Sequence, residues 1–178
     1  MLSYTVATEK KGYQRKFQAL CDQFIKKTNS LLFLKKHTEI VDNLLIRSWI
    51  DSNISKKNTL IAVGGYGRNE LFPYSDVDIL VLNSEKSIEN DENISQFITK
   101  CWDIGLKIGH SVRNLAEVKE EFHADISTAT NLLEARLIYG SSDLYLKFNS
   151  TINNIINIKK FFKEKITEQT IRHRKYRD

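Results

Sequence analysis

Two aspartates one residue apart, Asp76 and Asp78, lead into the apolar run Ile79-Leu-Val-Leu82. On a β-strand side chains alternate with a period of two, so both carboxylates would point to one face while Val77 and Ile79 point to the other. Two carboxylates a few ångströms apart repel, and keeping both ionised calls for a cation between them. Mg²⁺ is usually bound through one or two carboxylates plus substrate phosphates, so an exposed Asp-x-Asp edge suits a metal-nucleotide site better than an all-protein metal cage. The same spacing arises by chance in surface loops, and alone it carries little.

It does not stand alone. The short apolar run Thr59-Leu-Ile-Ala-Val63 ends in Gly64-Gly65, with Gly67 one residue further on. Glycines permit left-handed turns and a close backbone approach, which lets N–H groups point at phosphate oxygens. A short helix starting near Gly67 would add its positive end. A lone Gly-Gly-x-Gly is as well explained by a plain strand-to-helix turn, and no Gly-Lys-Ser/Thr or dinucleotide fingerprint follows it. Ten residues separate Gly65 from Asp76, and it is this combination that becomes specific: a phosphate cradle facing a carboxylate pair.

The elements around this stretch must hold it. Helical periodicity over about 13–28 and 37–51 predicts two amphipathic helices before the first strand. Residues 59–63 and 76–82 read as buried strands, with the single proline, Pro73, in the loop between them. A polar surface loop is expected over 83–93, then a helix marked by Phe97, Ile98, Cys101 and Trp102 and stopped near Gly105. Alternation over Lys107–Arg113 predicts a third strand, with Ile108, His110 and Val112 on a buried face and Ser111 and Arg113 on the nucleotide side. From there the pattern looks helical to the end, with Asn114 or Asp125 as N-caps and Gly140 as a stop signal. The fold class is α+β: a small mixed sheet with helices before it and a helical carboxy-terminal half. The expected division is 1–55 for the first helices, 56–140 for the core and 141–178 for a helical extension.

Composition sets the outer limits. With 178 residues, 41% hydrophobic and 28% charged, the chain can build its own core, and it lies outside the disordered, collagen-like and membrane-spanning classes. There is no apolar run of bilayer length and no signal core, which implies a cytoplasmic protein. Cys21 and Cys101 fall within helical patterns and read as buried thiols of a reducing compartment. The net charge of +5 is concentrated in residues 159–178, with eight basic and three acidic side chains. A solvated helical face explains this better than a nucleic-acid surface, because aromatics for base stacking are not interleaved.

Ala62-Val-Gly-Gly-Tyr-Gly-Arg-Asn-Glu-Leu-Phe-Pro-Tyr-Ser-Asp-Val-Asp-Ile-Leu80 resembles the signature of the polymerase-β-type nucleotidyltransferase superfamily. Within it the stretch is similar to the GlnD-type family of bifunctional uridylyltransferase and uridylyl-removing enzymes. Cys101-Trp-Asp-Ile-Gly-Leu-Lys-Ile-Gly-His-Ser-Val-Arg113 and Thr128-Ala-Thr-Asn-Leu-Leu-Glu-Ala-Arg-Leu-Ile-Tyr-Gly140 resemble later blocks of that family, the second of them a helix. The resemblance implies transfer of UMP from UTP to a tyrosine of the PII signalling protein, with Mg²⁺ or Mn²⁺ as cofactor; no membrane partner is expected from the composition, and a nucleic-acid partner is disfavoured by it. It implies Asp76 and Asp78 as catalytic metal ligands and Gly64 and Gly65 as the triphosphate cradle, with Arg68, Ser75, Ser111 and Arg113 as further nucleotide contacts.

Two departures stand against it. Superfamily members often carry a third carboxylate on a neighbouring strand, and Lys107–Arg113 has none; Asp103, Asp125 and Glu134 are weaker candidates, and His110 or Ser111 could occupy the place. GlnD-type chains are also much longer, so the chain reads as an amino-terminal fragment without uridylyl removal or glutamine sensing. A related enzyme with another base or acceptor, such as a glutamine synthetase adenylyltransferase, and a nucleotide-binding module without turnover are the alternatives.

Overall fold

A computed structural model describes residues 2–84 and 88–176. Residues 85–87, within the loop expected over 83–93, and Arg177 and Asp178 of the basic tail lie outside the described residues. In chain order the elements are α1 (Leu2–Lys26), α2 (Ser30–Asp51), β1 (Thr59–Ala62), α3 (Gly64–Gly67), β2 (Val77–Leu82) and α4 (Ile88–Ile104). They continue with β3 (Ile108–Arg113), α5 (Leu115–Ala124), α6 (Ile126–Leu133), β4 (Arg136–Gly140), α7 (Ser142–Ile155) and α8 (Ile158–Tyr176).

The four strands form one mixed sheet in the order β3-β2-β1-β4. β1 runs antiparallel to both β2 and β4, and β2 runs parallel to β3 with Asp78 opposite Gly109. Alternation along β2 divides the core as the sequence requires. Val77, Ile79 and Val81 join Val41, Leu45 and Trp49 of α2 and Phe97 and Cys101 of α4 on one side. Leu80 and Leu82 meet Val118, Leu132 and Phe148 of α5, α6 and α7 on the other. The sheet is thus covered on both faces, which explains why its central strands read as continuous apolar runs.

The expected α+β architecture is the observed one, and three local expectations are corrected. The second half is not helical throughout, because Arg136–Gly140 forms a fourth strand beside β1. Leu132-Leu133, Leu137 and Ile138 continue a helix-like spacing, so periodicity alone ran through the break. Gly140 is the end of that strand: its φ is +105°, and a Cβ there would lie 2.2 Å from the Asn58 carbonyl oxygen. The loop expected over 83–93 ends early, since α4 begins at Ile88. Cys101 is buried, but Cys21 is only half-buried; both are free thiols, and burial pushes the Cys101 thiol up to about 12. Asn114 and Asp125 do cap α5 and α6, Asn114 in a reciprocal capping box with Glu117. Among the described residues no helix is long and apolar enough to cross a membrane.

His37 ties α2 to the loop that precedes the aspartates. Its Nδ1–H donates to the Leu71 carbonyl at 2.9 Å, which leaves Nε2 to accept the Tyr13 hydroxyl at 3.3 Å. Burial holds its pKa below the ordinary value of 6.5, against the opposing pull of the Leu71 carbonyl. The unfolded chain therefore takes up a proton below about pH 6.5 that the folded chain resists, and stability falls as the pH drops through that range. Melting at about pH 7.5 and about pH 5.5 should show this drop, and His37→Gln should shrink it.

Candidate active site

β1 leads into a single helical turn, Gly64–Gly67, rather than a helix that starts at Gly67. The turn is too short to accumulate a macrodipole, so what it offers an anion is the first N–H groups, which have no acceptor inside one turn. Gly64 has φ +58°, the left-handed region that glycine adopts without strain. The Val63 N–H donates to the Asp78 carbonyl at 3.1 Å, so the backbone of the turn is fastened directly to the aspartate strand.

The three glycines have different jobs. A Cβ on Gly67 would lie 1.9 Å from the Glu134 carbonyl oxygen, where α6 ends against the turn. A Cβ on Gly65 would meet nothing nearer than 3.7 Å. Gly67→Ala is accordingly expected to lose about 2–3 kcal/mol or more of stability through overpacking. Gly65→Ala should melt like the parent and instead weaken triphosphate binding, with thermal melts and UTP titration separating the two.

Asp76 is exposed and sits just before β2, while Asp78 is half-buried within it. Burial, together with the charge of Asp76, raises the Asp78 pKa above the ordinary carboxylate value. The two carboxylates therefore sense each other, the condition a divalent cation relieves. A Cβ on Gly109 would stand 2.3 Å from Asp78 Oδ1, so the carboxylate occupies the space that glycine leaves on β3. Gly109→Ala should swing Asp78 away and weaken Mg²⁺–UTP binding about tenfold or more, a cost of ~1.4 kcal/mol in binding. The loss of stability from the clash should disappear when Asp78 is also shortened to Ala.

Beside Asp78 opens a pocket of about 510 Å³ between β3 and helices α5 and α6. Ser111 and Arg113 are among its lining residues, and so is His110 from the same strand. Arg113 is engaged there: Nε donates to Glu121 Oε1 at 2.6 Å and a terminal nitrogen to the Val112 carbonyl at 2.9 Å. Arg68 is likewise held, with Glu70 at 2.8 Å and Glu134 as its two carboxylate partners. Ser75 is exposed in the loop before Asp76 and is not part of the pocket lining.

His110 is exposed rather than buried beneath the sheet. Alternation does place it on the α4 side, where its ring meets Trp102 edge-on at 5.7 Å. β3 is the sheet's edge strand, however, and Trp102 is itself 50% exposed. The other carboxylate candidates are committed elsewhere: Asp125 caps α6, Glu134 pairs with Arg68, and Asp103 is exposed on α4. Among the described residues no group of three or more His, Cys, Asp or Glu side chains could hold a metal ion.

One set of residues had no signal in the sequence. The Tyr66 hydroxyl, inside the turn, donates to Asp42 Oδ1 of α2 at 2.5 Å. Arg136 of β4 grips both oxygens of the same carboxylate at 2.8 and 3.1 Å, with its guanidinium carbon 5.4 Å from the Tyr66 ring centre. Burial first, then the Asp42 charge, pushes the Tyr66 pKa well above its ordinary value, so the phenol stays a donor. The turn is thus pinned from beneath by α2 and β4.

A model of the nucleotidyltransferase domain matches residues 45–173. The chain belongs to the nucleotidyltransferase domain family. It is also similar to bifunctional uridylyltransferase/uridylyl-removing enzymes. The protein of that name from Nitrosospira multiformis is 39% identical over 168 residues, covering 90% of this chain and 19% of the relative. That from Hydrogenovibrio crunogenus is 44% identical over 154 residues, 82% of this chain and 17% of the relative. That from Ralstonia nicotianae is 42% identical over 159 residues, 88% of this chain and 18% of the relative. The nucleotidyltransferase domain described here therefore spans about a fifth of the length of these relatives.

Proposed function

We propose that this domain transfers UMP from UTP to a tyrosine hydroxyl of the PII signalling protein, with Mg²⁺ or Mn²⁺ held by Asp76 and Asp78. The observation that carries the reading is Asp78, half-buried, coupled to Asp76 and backbone-bonded to the residue that opens the Gly64–Gly65 turn. The uridylyltransferase relatives supply the choice of nucleotide. The donor set fits a divalent ion of the Mg²⁺ type: two carboxylates, with substrate phosphates free to complete an oxygen shell.

When bound, such an ion neutralises charge that builds on the α-phosphate and the leaving pyrophosphate. The chain's own residues do the rest. Asp76 and Asp78 would hold the ion, and the Gly64 and Gly65 N–H groups would donate to phosphate oxygens. The rigid seating of the turn on Asp42 and Arg136 keeps the α-phosphorus in line with an incoming hydroxyl. The tyrosine oxygen bonds to that phosphorus, the bond to pyrophosphate breaks and pyrophosphate leaves, and the hydroxyl proton passes to solvent.

A second reading, nucleotide binding without turnover, is favoured by one observation: no third carboxylate joins the pair among the described residues. Label transfer decides between them. With Mg²⁺, UTP labelled at the α-phosphate and PII, the proposal expects label on PII and one pyrophosphate released per label. Nucleotide binding with neither product would establish the second reading in its place.

A further inference from the structure

We propose that Phe72 and Tyr74, in the loop between α3 and β2, form a docking surface for the protein that presents the accepting tyrosine, covering apolar side chains around that residue. The inference rests on the reading of Asp76 and Asp78 as a nucleotidyl-transfer site and adds where its protein substrate is held.

Phe72-Pro73-Tyr74-Ser75 is a tight turn, closed by the Ser75 N–H donating to the Phe72 carbonyl at 3.2 Å. Tyr74 has φ +66°. Proline in the second place and a positive φ in the third are the marks of a type II turn, whose third place takes glycine or asparagine for steric reasons. A bulky aromatic there is an outlier. Packing does not recover the strain: the ring meets the half-buried Phe17 of α1 edge-on at 6.3 Å, yet Tyr74 stays 82% exposed. Among the described residues no large apolar side chain is more exposed. Phe72, two residues earlier, is 56% exposed. Strain kept beside a reaction site, with no contact inside the molecule to reward it, points to a contact outside.

The loop holds these rings on a fixed frame. The Glu70 N–H donates to the Gly65 carbonyl at 2.9 Å, the carbonyl of buried Leu71 accepts from His37 at 2.9 Å, and the Val77 N–H donates to the Lys107 carbonyl at 2.7 Å. Both ends are therefore tied to the scaffold of the site, and rings so presented lose little freedom when a partner covers them. Position selects that partner. Tyr74 lies two residues before Asp76, so whatever covers it stands at the rim of the carboxylate pair. The triphosphate is assigned to the Gly64–Gly65 turn, whereas a protein bringing a hydroxyl to the α-phosphate has to reach this rim. Aromatic side chains are concentrated at protein interfaces, where a few anchors carry most of the binding.

Transfer assays on the whole chain at varied PII concentration, beside calorimetric titration of UTP with Mg²⁺, test this. Tyr74→Gly suits the positive φ and should melt at or above the parent. Phe72→Ser removes the second exposed ring. Each is expected to raise the PII concentration for half-maximal transfer about tenfold, the loss of one aromatic anchor, with UTP affinity unchanged because Asp76 stays in place. Half-saturation by PII at the parent's concentration in either variant would overturn the inference while leaving the carboxylate site standing. A loss of UTP affinity as large as the loss for PII would overturn it too, since the fault would then lie in a displaced Asp76. If the unaltered chain transfers no UMP to PII, the underlying reading fails and the inference goes with it.

Discussion

Asp78→Asn is expected to keep the fold and lower nucleotidyl transfer by about a thousandfold or more. An ion that stabilises the transferring phosphates by several kcal/mol is lost with the ligand that seats it, and ~4 kcal/mol corresponds to about three powers of ten in rate. Stability should move the other way. In the folded protein burial and the Asp76 charge raise the Asp78 pKa, so its ionised form is disfavoured relative to the unfolded chain. That penalty is present at neutral pH and is relieved as the pH falls through the raised pKa. The neutral amide removes it, and the variant should melt at or slightly above the parent in metal-free buffer. Addition of Mg²⁺ and UTP reverses the order, because only the parent gains stability by mass action. Scanning calorimetry with and without ligand, beside the transfer assay, checks both halves.

Asp42→Ala is expected to cost about 3 kcal/mol, which for a chain of this size is a drop of about 10 °C in Tm. The effect is large because one carboxylate serves two dependants. Its removal leaves the Arg136 guanidinium, with side-chain exposure of 24%, without its ion-pair partner, and leaves the buried Tyr66 hydroxyl without its acceptor. Tyr66→Phe deletes only the hydroxyl, keeps the Asp42–Arg136 pair and should cost about 1 kcal/mol. Asp42→Ala should also raise the UTP concentration needed for half-saturation, since the freed turn no longer presents fixed N–H groups. A Tm drop with unchanged UTP affinity would reduce the network to a purely structural role.

The contrast between these two residues shows what the sequence made legible. Asp78 could be read because a two-residue period, a flanking apolar run and a preceding glycine turn all lie within twenty-odd residues. Asp42 could not, since its partners are 24 and 94 residues away and meet it only through the packing of α2 and β4 on the turn. The same limit hid Asn131 of α6, whose amide oxygen lies 3.2 Å from where a Cβ on Gly64 would stand and which periodicity marks only as the polar side of a helix. It also produced the misplacement of His110: alternation gave its face correctly, but burial depends on strand order, and an edge strand leaves the face half covered. β4 was missed because a five-residue strand following a short helix prolongs the helix's own apolar spacing.

The most direct test is a crystal structure of the chain with Mn²⁺ and a non-hydrolysable UTP analogue, with the anomalous signal locating the ion. Asp76 and Asp78 are expected to ligate the ion together with phosphate oxygens, and the triphosphate to lie against the Gly64 and Gly65 N–H groups. An ion that touches neither aspartate, or a triphosphate bound away from the turn, would contradict the assignment.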